Sequence, residues 1–118
     1  MLLKYSGAGD IPLMFKNTQT GKIESISSQG SLLGFTEDGK YEDTFVKLKS
    51  GDSIFMVTDG IMESRSKDGE AFGAQRFHQV LSETSPNNDD FDKIKSDFES
   101  FTGGQFEDDV SMINIKFP

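Results

Sequence analysis

The residues Ile54-Phe55-Met56-Val57 form an unbroken apolar run in a chain that is otherwise strongly polar. A β-strand sends alternate side chains to opposite faces, so a strand without a polar face must be covered on both. The chain is therefore predicted to fold in layers, with this strand inside a sheet and further elements packed above and below it. At 118 residues it is long enough to bury one core and short for two lobes.

Other segments fill in the layers. Residues 2–6 and 12–16 read as strands flanking Gly7-Ala8-Gly9-Asp10, and residues 22–26 alternate polar and apolar after Thr20-Gly21, so the first quarter is predicted to be a strand meander. A further strand is expected over residues 44–48, ending in the turn Lys49-Ser50-Gly51-Asp52. Two helices follow. Residues 74–83 place Phe77, Val80 and Leu81 on one face, and residues 90–101 place Phe91, Ile94, Phe98 and Phe101 at helical spacing, as core. Asn88-Asp89-Asp90 suits the start of the second helix. Residues 110–117 alternate again and read as a last strand. The fold class is α+β, with Phe55, Val57, Phe77, Leu81, Phe98, Met112 and Ile113 as the expected core.

Charge and composition exclude several functions. The net charge is −8 and the basic residues are scattered, whereas nucleic acid and anionic membranes require a basic patch. Without cysteine there is no disulfide framework, thiolate metal site or thiol nucleophile. One histidine, His78, rules out a multi-histidine zinc site within one copy, and its place beside Phe77 in a helical stretch fits packing or surface exposure better than catalysis. No apolar run reaches membrane-spanning length and residues 1–4 lack the character of a signal peptide, so a cytoplasmic setting is expected.

Carboxylates remain as the chemical resource. Thr58-Asp59-Gly60 follows the apolar run, and Asp108-Asp109 precedes the last strand. Each alone is a turn signature or a solvated loop. If the two strands are sheet neighbours, their ends bring carboxylates to one rim, the arrangement that a hard cation such as Mg²⁺ or Mn²⁺ requires.

The order of these segments resembles the C-terminal part of the metal-dependent serine/threonine phosphatases of type 2C, in particular the bacterial branch of the stage II sporulation protein E phosphatase and the sigma-factor regulators. Residues 6–12 look like that branch's Asn-Ala-Gly-His-x-Pro turn, with Asp10 standing where the branch has His, and residues 30–34 look like its Gly-x-x-Leu-Gly segment. Gly51-Asp52, Thr58-Asp59-Gly60-Ile61-Met62-Glu63, Phe72-Gly73 and Asp108-Asp109-Val110-Ser111 continue the series in order. The resemblance implies a β-sandwich flanked by helices, with residues 1–118 as the C-terminal portion of one domain and an N-terminal portion absent. It also implies a site for two Mn²⁺ or Mg²⁺ ions in the intact domain, with Asp59 and Asp108 as metal ligands.

In that reading Gly60 turns the backbone away after a ligand, and Asp109 holds ligand groups or metal-bound water. The bridging ligand comes from an upstream Gly-Asp-x-x-Gly-His-Gly motif that these residues do not contain. Glu63 is a helix-end or salt-bridge residue, or one that touches bound water. The expected partner is a phosphorylated regulatory protein such as an anti-anti-sigma factor, and the chain alone is expected to be inactive and to self-associate through exposed sheet edges. Two alternatives stand beside this one: a non-catalytic binding module of the same fold, and an unrelated domain whose acidic corners are only turns.

Overall fold

The computed structural model of the chain describes residues 1–9, 12–84 and 90–118. In chain order it runs β1 (Leu2–Ser6), β2 (Leu13–Lys16), β3 (Ile23–Ile26), β4 (Asp43–Lys47), β5 (Ser53–Val57), α1 (Asp59–Glu63), α2 (Gly73–Glu83), α3 (Asp90–Thr102) and β6 (Met112–Lys116). Strands β3-β2-β5-β6 form one antiparallel sheet, and β1 pairs with β4 in a second, two-stranded sheet. The α+β class is as expected.

Strand β5 lies at the centre for the reason its composition gives. Phe55 points into a core made with Met14, Ile61, Phe72, Phe77, Leu81, Ile94 and Phe98, under the helices. Ile54 points the other way, into a second core with Leu13, Phe15, Val46 and Leu48, between the two sheets. The layers are therefore helices, four-stranded sheet and two-stranded sheet. Helices cover one outer face; among the described residues none covers the outer face of the β1–β4 pair, where Phe45 is exposed.

The helices form as their periodicity requires. α2 buries Phe77, Val80 and Leu81 along one face, and α3 buries Ile94 and Phe98. Phe72 meets Phe98 and Phe101 edge-on, with ring centroids 5.4 and 5.3 Å away. On the solvent side of α3, Lys93 bonds Asp97 one turn on, and this hydrogen bond is the main cause that raises the Lys93 pKa.

Several expectations need correction. Ile113 is 54% exposed, because it faces the second sheet and that sheet does not extend over β6. Val57 and Met112 pack against the helical core but are only partly buried. Phe91, expected in the core, is 37% exposed at the start of α3. Asp90 stands at the start of α3 as expected, but it also has an interior role: it is buried and forms an ion pair with the buried Lys16, whose ammonium also donates to the Thr84 carbonyl and hydroxyl. Asp52 is more than a turn residue. It is 1% exposed, and its carboxylate accepts the backbone N–H groups of Thr18 and Lys49. Asp10, Asn88 and Asp89 lie outside the described residues.

Two of the segments singled out in the sequence abut in space. A β-carbon at Gly30 would lie 1.8 Å from the Gly7 carbonyl oxygen, so only glycine fits there.

Candidate functional site

The chain leaves β5 at Val57 and enters β6 at Met112, and these two residues are register partners in the antiparallel pair. Both acidic corners therefore emerge at the same end of the same sheet, although Thr58 and Ser111 are 53 residues apart in sequence. The corners also touch. The Thr58 backbone N–H donates to the Ser111 carbonyl at 3.0 Å, and the Ser111 N–H donates to the Thr58 hydroxyl at 3.0 Å. Just beyond this clasp Gly60 packs so tightly on the second corner that a β-carbon there would stand 2.3 Å from the Asp109 carbonyl oxygen.

The first corner is not the open turn that its sequence suggests. Thr58 precedes α1, and Asp59 opens that short helix, where a carboxylate is favoured by the unpaired N–H groups of the first turn. Ile61 anchors the helix in the core, and the Ser64 hydroxyl donates to the Gly60 carbonyl at the other end. Asp59 is exposed, while Gly60 is buried between helix and loop. Glu63, at the end of α1, is exposed.

The second corner is a loop. Asp108 and Asp109 are exposed, and the Asp108 carboxylate accepts the Asp109 N–H at 2.7 Å, which fixes the local bend. A cavity of about 580 Å³ adjoins this loop, with Asp108 and Asp109 in its wall together with residues of α3. His78, half-buried on α2, does not line it.

The donor set at this rim is carboxylate oxygen, which in kind suits a hard divalent cation. In number it is short: among the described residues no three His, Asp or Glu side chains converge closely enough to hold an ion. Sequence reasoning missed Thr58 and Ser111 as the groups joining the corners. Their role depends on strand register, which residue types alone do not reveal.

The family described as Stage II sporulation protein E (SpoIIE) matches residues 1–118. Protein IcfG of Synechocystis sp. (strain ATCC 27184 / PCC 6803 / Kazusa) is 28% identical over 115 residues, 96% of this chain and 18% of its own length. Phosphoserine phosphatase RsbU of Bacillus subtilis (strain 168) is 28% identical over 65 residues, 55% of this chain and 19% of its own. The chain thus spans under a fifth of the length of these curated relatives. The phosphatase domain of the cell fate determinant SpoIIE from Bacillus subtilis, in a crystal presoaked with Mn, superposes with a TM-score of 0.70 at 20% identity, covering 98% of this chain and 50% of that one.

Proposed function

Because this chain belongs to the stage II sporulation protein E family, we propose that it is the C-terminal portion of a metal-dependent protein serine/threonine phosphatase domain that acts, in the cytoplasm, on a phosphorylated regulatory protein of a sigma-factor pathway. The observation that carries this reading is the clasp between the corners: Thr58 and Ser111 hold Asp59 and Asp108-Asp109 at one rim of the sheet in a chain that the family matches end to end. A relative named as a phosphoserine phosphatase and another studied with Mn support the substrate and metal classes.

In this reading Asp59 and Asp108 would hold a divalent ion, Asp109 would orient its water, and Gly60 keeps the two corners in contact. Bound Mn²⁺ or Mg²⁺ would supply an acidified water and neutralise the phosphoryl oxygens. The exposed carboxylates leave the rim open to a phosphoserine presented on a protein surface. This reading requires a further ligand, an aspartate of a Gly-Asp-x-x-Gly-His-Gly motif, which residues 1–118 do not contain.

The test compares this chain with the same chain joined to its upstream segment, assayed with Mn²⁺ on an aryl phosphate and on a phosphoserine protein. Only the longer protein should turn over. Asp109→Asn should lower its kcat by about 10- to 100-fold, and Asp59→Asn and Asp108→Asn by at least as much. Full activity of the latter two variants would refute their role. The shortage of ligands among the described residues also fits a non-catalytic binding module, and an upstream sequence lacking the motif would select that reading.

A further inference from the structure

The cavity beside Asp108 has walls of two kinds. Its apolar side is aromatic: Phe98 is buried, and Phe106 stacks on it with centroids 5.4 Å apart and planes within 4°. Phe91 and Phe106 remain 37% and 48% exposed, large rings that a docked side chain would remove from water. Its polar side is acidic, with Glu99, Glu107, Asp108 and Asp109 against one cation, Lys95, among the described residues. Asp108 and Asp109 belong both to this wall and to the acidic corner, so the cavity is continuous with the candidate metal rim.

We infer that this cavity is the docking site for the residues that flank the phosphoserine of a protein substrate: an apolar side chain seated against Phe91 and Phe106, next to a Lys or Arg facing Glu99 and Glu107. The inference rests on the phosphatase reading of the rim. A volume of about 580 Å³ exceeds one side chain and falls within the range of pockets that enclose small ligands, roughly 300–1,000 Å³. An extended substrate advances about 3.3–3.6 Å per residue, so the first neighbours of a phosphoserine at Asp108 reach the cavity. Aromatic anchoring supplies affinity, and the surrounding carboxylates select the basic neighbour and reject an acidic one.

The test uses the protein with its upstream segment, Mn²⁺, and three labelled peptides, in which Phe and Arg, Ala and Arg, or Phe and Glu flank the phosphoserine. The protein should prefer the first over either of the others about tenfold in kcat/KM. Phe106→Ala should bring the preference for Phe over Ala to about one, and Phe106→Leu should retain part of it. The surface pair Glu99→Lys with Glu107→Lys should turn the preference from the Phe/Arg peptide to the Phe/Glu peptide. No preference in the unsubstituted protein, or a Phe preference that survives Phe106→Ala together with an Arg preference that survives the charge reversal, overturns the inference. So does unfolding of both Phe106 variants with no effect of the charge reversal, which would assign the cavity to packing of the protein's own chain. Fluorescence anisotropy of the same peptides reads docking without turnover. Selective binding with no hydrolysis by the unsubstituted protein would therefore sink the phosphatase reading while leaving the docking surface standing.

Discussion

Gly60 and the Asp109 carbonyl oxygen are in such close approach that even one added carbon would intrude to 2.3 Å. The contact joins the first turn of α1, just after the central strand, to the loop that precedes the last strand. It fixes the spacing of the two acidic corners through backbone, which no rotamer change can relax.

Gly60→Ala is therefore expected to displace the 108–110 loop and to destabilise the chain by about 1–3 kcal/mol, the usual cost of overpacking. Urea unfolding measures the stability. In the longer protein the Mn²⁺ concentration for half-maximal activity should rise, and an unchanged metal dependence would show that the spacing does not matter to the rim.

Thr58 is expected to act through its hydroxyl. Thr58→Val keeps the shape but removes the acceptor of the Ser111 N–H, at about 1 kcal/mol. Thr58→Ser restores it. If the clasp aligns the corners, the Val variant should need more Mn²⁺ than the Ser variant at equal folded fraction. Equal metal dependence of the two would confine Thr58 to a structural part.

At the far end of β2, the Lys16–Asp90 pair is buried on both sides, with 7% and 8% of the side chains exposed. Lys16→Met leaves a carboxylate in the interior without its cation, which should cost about 3–5 kcal/mol, whereas Lys16→Met with Asp90→Leu should recover most of that loss. Chemical denaturation of the single and double variants measures the coupling. An additive cycle would mean that the pair contributes nothing of its own.

Much of this arrangement was legible in residue order. The uninterrupted apolar character of β5 required cover on both faces, and Ile54 and Phe55 do enter different cores. Spacing of Phe77, Val80 and Leu81, and of Ile94 and Phe98, placed α2 and α3 to within a residue or so. Helix α1 was not legible, since its five residues are too few to show a period and Asp-Gly reads as a turn.

Ile113 shows a different limit. Alternation tells which side chains share a face but not how far the opposing sheet extends, and the two-stranded sheet stops short of β6. In the sequence Lys16 reads only as the end of a strand, Asp90 as part of a helix start and Asp52 as a turn residue, because charge predicts exposure unless a partner is known. Those partners lie 74 residues away for Lys16, and 34 residues away for one of the two N–H groups that bind Asp52. The candidate ligands were visible as corners, while the bonds that join them depend on register.

The strands behind the two corners differ in how firmly they are held. Asp59 follows β5, which lies between β2 and β6 and is sealed on both faces, whereas Asp108 precedes β6, which is paired on one side among the described residues and exposes Ile113 and Ile115. Local opening is cheapest where burial is least, so of the two lips of the rim the one held by β5 is the better secured and opening would begin on the β6 side. A segment laid along that strand would therefore secure the Asp108 side of the rim without touching a single acidic residue.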